Sequence, residues 1–456
     1  MKKYENIIIG FGKGGKTLAG ALASAGRSTA LIERSAERYG GTCINVACIP
    51  SKSLENSARM SAAAGGTFEE KAVRYSRAIE DKNALTSMLR KANLDKAVSA
   101  GADVITASAE FTGPHNIKVT FSDGRTDEFE GDNIFINTGS VPFVPPIEGL
   151  GSSKFSYVSE TMMELKELPR RLFIVGGGYI GLEFASYYTN FGSEVTIIQD
   201  GDVFIPREDR EVADAVFDNL TGRGIKIMKN ASVTKVRDEN DHAVLTVRTN
   251  EGENEYEAEA ILVATGRRPE LTGLHPEKAG IELTKRGAVK TDSGLRTNVP
   301  HIYAMGDIAG GLQFTYISLD DSRIVRSQLL GDGSRTVDNR GIVPYSVFLD
   351  PPLSRAGLSE QEALEQGYAV KKAVLPARAV PKSHIMKNSA GVLKAIVDAE
   401  TGMILGAHFF CAESQEMINT VKVAMDAGLS YTVLRDGIFT HPTMSEAMND
   451  LFSAVK

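Results

Sequence analysis

A glycine fingerprint that occurs twice constrains this chain more than any other feature. The first copy is Ile7-Ile8-Ile9-Gly10-Phe11-Gly12-Lys13-Gly14-Gly15, the second Phe173-Ile174-Val175-Gly176-Gly177-Gly178-Tyr179-Ile180-Gly181. Each follows a short β-branched run and opens a stretch of helical periodicity: Leu18, Leu22 and Ala25 in one, Leu182, Phe184, Tyr188 and Phe191 in the other. Each then meets a turn glycine, Gly26 or Gly192, and a second strand. The copies superpose without a gap at an offset of 166, which reads as a duplicated βαβ unit. One isolated match is as often a structural turn as a binding site. Two matches, both between strand and helix, predict two dinucleotide sites, at Gly10, Gly12 and Gly15 and at Gly176, Gly178 and Gly181. The glycines admit a pyrophosphate close to backbone, and the helix N-terminus favours its charge. Glu33 ends the second strand of the first unit, where a carboxylate grips a ribose 2′-hydroxyl. Gln199 holds that place in the second. It neither repels a 2′-phosphate as a carboxylate does nor attracts it as arginine does, so NADH and NADPH stay open.

Weaker echoes follow. Asn133–Gly139 and Ala260–Gly266 are strands that end at Thr-Gly, and Ile302–Asp307 is a strand running into a loop. The last hundred or so residues carry no fingerprint, and the polar, glycine-bearing stretch Gly331–Gly341 marks a boundary near 338. At 456 residues the chain exceeds one compact domain. A net charge of −7 gives no reason to expect nucleic acid or an anionic membrane as partner. The apolar run Ile7–Ile9 is too short for a signal-peptide core, and no apolar run reaches the roughly 18 residues of a membrane span. The expected location is the cytoplasm.

There are three cysteines, Cys43, Cys48 and Cys411, too few for a secreted disulfide scaffold. Cys43 and Cys48 are five positions apart. On an ideal helix that spacing separates Cα atoms by more than about 7 Å, beyond the usual disulfide span. A bond between them needs a distorted turn, which Pro50 offers. The pair also reads as two buried small hydrophobes or two metal ligands, but a structural zinc site needs about four ligands and no second Cys/His cluster is near. Redox use is the stronger reading, and no metal site is expected. Cys411 stands alone and reads as core.

The segment Gly40-Gly41-Thr42-Cys43-Ile44-Asn45-Val46-Ala47-Cys48-Ile49-Pro50-Ser51-Lys52 closely resembles the active-site signature of class I pyridine nucleotide-disulfide oxidoreductases, the family of dihydrolipoamide dehydrogenase, glutathione reductase and mercuric reductase. The resemblance continues at Ala264–Arg267, Tyr303–Asp307 and His441–Glu446 and spans essentially the whole chain. Phe314–Asp321 and Val343–Phe348 look most like the reactive-chlorine-resistance subgroup, associated with bacterial oxidant defence and reduction of ions such as Cu(II). The resemblance implies an α/β fold: two Rossmann-like dinucleotide-binding domains and a C-terminal α+β dimerisation domain. FAD would occupy 1–148 and the return segment 270–337, NAD(P)H would occupy 149–269, and 338–456 would pair two copies into a homodimer.

It also implies roles. Cys48 would be the charge-transfer thiol facing the flavin and Cys43 the interchange thiol that meets the acceptor. Lys52 and Glu183 would pair beside the flavin ring. Gly41, Thr42, Thr138, Gly139 and Asp307 would line FAD, with Asp307 on the ribityl chain. Tyr179 would gate the nicotinamide, and Gly266 would lie at the nucleotide site. His441 would reach the disulfide of the other subunit, oriented by Glu446. Thr443-Met444-Ser445-Glu446 is also a good capping box, which gives Glu446 a structural task as well.

Ala47, Tyr39 and Asn137 depart from the family's usual glycine, leucine and alanine, so the pocket is expected to be reshaped. The C-terminal cysteine pair of mercuric reductases is absent, and no basic cluster marks a glutathione site. The acceptor stays open between a metal ion or oxidant, lipoamide or another small disulfide, and, in a different class, a partner signalled by a thiol redox sensor.

Overall fold

The computed structural model describes all 456 residues. Strand β1 (Lys2–Ile9) is the centre of the first sheet, and its last four residues are fully enclosed because strands flank it on both sides. The sheet continues through β2 (Thr29–Glu33), β3 (Asp103–Thr106), β4 (Ser108–Phe111), β5 (Asn116–Thr120) and β6 (Thr126–Ile136), in the order β3-β2-β1-β6-β5-β4. The strands from β3 to β6 are parallel, while β4 and β5 extend β6 as an antiparallel flap. The chain leaves this sheet after Ile136 and rejoins it at Ile302–Ala304, parallel to β6.

Between those points lies a second parallel sheet. Its order is Lys226–Met228, Glu194–Ile198, Arg171–Val175, Ala260–Val263, Ser156–Val158, beside a three-stranded antiparallel meander. The duplication holds in three dimensions. Helix α1 (Lys13–Ser24) and helix Tyr179–Phe191 both start after an extended glycine, Gly12 and Gly178. Gly10 and Gly176 take φ of +107° and +114°, and a Cβ on either would lie 2.3 or 2.5 Å from the carbonyl oxygen of Asn137 or Ala264. Gly15 and Gly181 let the helix press onto that first glycine, whose carbonyl oxygen would meet an added Cβ at 2.3 Å in each case.

The last unit is a five-stranded antiparallel sheet, Tyr345–Val347, Leu353–Gly357, Ile404–Phe410, Val392–Asp398 and Val370–Pro376 in spatial order, with helices packed on it. The fold is therefore α/β with two Rossmann-like units and a C-terminal α+β unit. Cys411 is fully buried in the core of that last unit. One apolar core runs through Leu54, Tyr75, Leu182, Tyr188, Val347 and Phe410 and so joins all three units. Side chains from different units are thus held on a close-packed platform. No helix is long and apolar enough to cross a membrane.

Candidate functional site

The cysteine segment is two helices with a break between them. The short helix α2 (Thr42–Asn45) carries Cys43, and α3 (Cys48–Ala64) begins at Cys48. The chain turns at Val46 and Ala47, in the turn that Pro50 was expected to distort. Pro50 lies in the first turn of α3, where its missing N–H leaves nothing unsatisfied. Asn45 fastens the segment: its Nδ2 donates to the carbonyls of Tyr39 and Gly41, and its Oδ1 accepts from Arg90. From α1, Lys16 Nζ donates to the Gly40 carbonyl at 3.2 Å and to Asn93 at 2.6 Å, and burial brings its pKa down to about 8.

Both cysteines are free thiols here and interact with each other. The hydrogen bond from Cys43 holds the Cys48 pKa below its ordinary value, helped by Thr315 and by the positive charge of Lys52, against the opposing effect of burial. Cys43 moves the opposite way, because it keeps the proton of the shared hydrogen bond and is buried. The charge therefore settles on Cys48, at the first residue of a long helix, where the macrodipole favours an anion. Thr315 Oγ1 lies 3.3 Å from Cys48 Sγ and serves as the second donor to the thiolate. Thr315→Ala is expected to raise the Cys48 pKa by about one unit, so that on acidification the thiolate is lost at a higher pH than in wild type; thiolate absorbance against pH measures it.

Lys52 and Glu183 stand on α3 and on helix Tyr179–Phe191, and their charges meet at 2.6 Å. The other Glu183 oxygen accepts from the Phe348 backbone N–H at 2.9 Å, and Lys52 lies 4.8 Å above the Phe348 ring. One residue from each of three units is thus bound into a single contact. Tyr179 donates to the buried Glu208 carboxylate at 2.5 Å, and Tyr345 donates to the same oxygen. His441 Nδ1 lies 2.7 Å from Glu446 Oε2, while Glu446 and Thr443 exchange the two bonds of the capping box. Glu446 serves the helix and the histidine at once.

A cleft of about 2200 Å³ runs along the C-terminal ends of β1 and β6, well above the roughly 300–1,000 Å³ of most small-molecule pockets. It brings together Gly10, Gly12, Glu33, Gly41, Thr42 and both cysteines, and, from the other side, Lys52, Thr138, Gly139, Tyr179, Glu183 and Asp307. Gly15 lies behind its wall. Gly176, Gly178, Gly181, Gln199 and Gly266 are outside it, on the second unit, and so are His441 and Glu446. The His441 side chain is 71 % exposed on its own chain.

These residues fit FAD on two observations. The Thr138 hydroxyl is buried without any partner in the protein. Gly41 has φ +79°, and a Cβ there would come within 2.5 Å of the Gly12 Cα, so two backbones form a cradle that no side chain can share. Asp307 accepts from Ser140 at 2.6 Å, and Glu33 accepts from the N–H groups of Phe11 and Ser35. Gly41→Ala is expected to yield apoprotein on purification, with about 1–3 kcal/mol of stability lost to left-handed strain alone; flavin content and thermal melting check both effects.

Sequence reading did not find three of these features. Thr315 is 267 positions from its thiolate. Asn137, flagged only as a departure, is buried, accepts from the Gly15 N–H at 2.8 Å and donates to the Met305 carbonyl at 2.6 Å, tying fingerprint to return strand. Glu208, from the same unit as Tyr179, and Tyr345, from the C-terminal unit, join Tyr179. Thr315 and Tyr345 stood out only within the subgroup-like runs and Asn137 only as a departure; the contacts they make across the fold have no signal in a single-chain pattern.

Comparison with known proteins agrees. Residues 4–322 match the pyridine nucleotide-disulphide oxidoreductase model, and residues 343–452 match the dimerisation domain of the same enzymes. The chain belongs to the pyridine nucleotide-disulphide oxidoreductase family. Among its relatives, the probable pyridine nucleotide-disulfide oxidoreductase RclA of Escherichia coli is 48% identical over the full length of both chains. The mercuric reductase of Staphylococcus aureus is 32% identical over 98% of this chain and 81% of its own. The solved Cu(II) complex of the HOCl-induced flavoprotein disulfide reductase RclA from Escherichia coli has a TM-score of 0.94 at 48% identity and full coverage of both chains. This chain is accordingly an FAD- and NAD(P)H-dependent oxidoreductase with a dimerisation domain.

Proposed function

We propose that the chain is a homodimeric reductase that delivers electrons through Cys43 and Cys48 to a metal ion or small oxidant, in oxidant defence. When bound, the nicotinamide dinucleotide and FAD supply and relay a hydride's two electrons. In this reading FAD lies in 1–148 and 270–337, held by Gly10, Gly12, Gly15, Glu33, Thr138, Gly139 and Asp307, with Gly41, Thr42 and Lys52 beside it. The nucleotide lies in 149–269, on Gly176, Gly178, Gly181, Gln199 and Gly266, with Tyr179 as gate. Lys52 supplies a fixed positive charge that Glu183 orients. Residues 338–456 pair the subunits.

The pair then works as a two-electron store. Starting from the Cys48 thiolate and the Cys43 thiol, a sulfur–sulfur bond forms, one proton leaves Cys43, and two electrons pass to the acceptor. Two Cu(II) ions would take one each and leave as Cu(I). A base must receive that proton. The Nδ1 of His441 faces a carboxylate, which only accepts, so Nδ1 carries the hydrogen and Nε2 is the free acceptor. Its exposure supports service to the partner subunit's cysteines. The placement of the pair carries the reading: both cysteines line the cleft, and Cys48 opens α3 with Thr315 Oγ1 3.3 Å from its sulfur, a position that favours the thiolate that dithiol transfer requires. The relative's Cu(II) complex supports a metal ion over lipoamide.

The experiment is an anaerobic titration of the holoenzyme with NADH and with NADPH, read by visible absorbance, followed by Cu(II), lipoamide or glutathione disulfide as acceptor. Bleaching with a new long-wavelength absorbance, reversed by about two equivalents of Cu(II), is expected. Reversal by lipoamide alone would move the enzyme to the disulfide-reductase reading, and a flavin that neither nucleotide reduces would leave a redox sensor.

A further inference from the structure

Gln199 directly follows strand Glu194–Ile198 and is buried. Both hydrogens of its side-chain amide are used: Nε2 donates to the carbonyls of Gly201 and Val203, each at 2.9 Å. Carbonyls only accept, so these two bonds fix which end of the amide is which. The oxygen must point the other way, toward the glycine fingerprint, where a Cβ on Gly177 would lie 2.5 Å from Oε1. A bare acceptor thus stands against the loop. A ribose 2′-hydroxyl can donate to it, whereas a 2′-phosphate brings only acceptor oxygens and about −1.5 to −2 charges.

The neighbourhood has the same sign. Positions 199–206 hold no lysine or arginine, while Asp200 and Asp202 are exposed carboxylates. Arg210 is committed to the carbonyls of Phe204, Ile205 and Glu208. Lys229 lies over the Phe217 ring, and Arg207 lines the large cleft instead. We infer that this chain selects NADH over NADPH, with Gln199 as the specificity-determining residue that accepts from the ribose. The inference rests on the reading of Gly176–Gly181 as the nicotinamide nucleotide site.

The test is calorimetric titration of the oxidised holoenzyme with NAD⁺ and with NADP⁺, which needs no turnover. NAD⁺ is expected to bind about tenfold tighter or more, the equivalent of one hydrogen bond. Gln199→Ala should weaken NAD⁺ and shrink the ratio, and Asp200→Arg, an exposed change that leaves the Gln199 bonds intact, should gain NADP⁺ affinity. Equal or tighter NADP⁺ binding to wild type overturns the inference while leaving the site assignment intact. So does a Gln199→Ala variant that loses both nucleotides in equal proportion, since that marks loop damage. Failure of both nucleotides to bind wild type overturns the site assignment itself and the inference with it.

Discussion

Cys48→Ser is expected to abolish turnover with thiol-dependent acceptors, by roughly three orders of magnitude or more, while FAD stays bound. The reason lies in how the charge is divided. Cys48 is the sulfur that three groups favour as an anion: the Cys43 thiol, Thr315 and the Lys52 charge. Serine keeps the shape but not the acidity, so no anion remains beside the cleft. Anaerobic reduction with nucleotide should then bleach the flavin without any long-wavelength absorbance. Cys43→Ser makes the contrast. It leaves Cys48 unable to form the disulfide and still served by Thr315 and Lys52, so the absorbance should be present before any reductant is added. An unchanged band in Cys48→Ser, or a band that needs Cys48 replaced to appear, would reverse the two roles.

Much of this site was legible because its motifs are local. The glycine fingerprints fix backbone that must approach backbone, and Gly10 and Gly176 show the same left-handed turn 166 positions apart. His441 and Glu446 are five positions apart and meet because one turn connects them. The second half of the site depends on contacts that sequence order does not encode. Thr315 starts a helix after the return to the first sheet, and Tyr345 arrives on the interface sheet to share Glu208 with Tyr179. Such pairings follow from how three units pack on the core through Leu54, Leu182 and Val347. The break between the cysteines is local as well: it falls at Val46–Ala47, in the turn whose Val46 carbonyl Pro50 cannot serve, and Asn45 fastens the preceding segment to Tyr39 and Gly41.

That division also separates what one subunit can do alone from what it cannot. His441→Ala is expected to leave nucleotide-driven bleaching and the long-wavelength band intact, because the residue lies outside the cleft of its own chain. Acceptor reduction should fall about 10²–10⁴-fold, the range of a lost proton acceptor. Glu446→Gln should fall less, since glutamine still accepts one bond but no longer stabilises the imidazolium that forms as the Cys43 proton arrives. The decisive version mixes two inactive chains, one Cys48→Ser and one His441→Ala. If each His441 serves the partner subunit's cysteines, the mixed dimer has one site with both residues intact, and about half the wild-type activity per heterodimer returns. If His441 serves its own chain, each site in the mixed dimer lacks one residue and nothing returns. Recovery of activity on mixing therefore reports where the proton goes, independently of which acceptor takes the electrons.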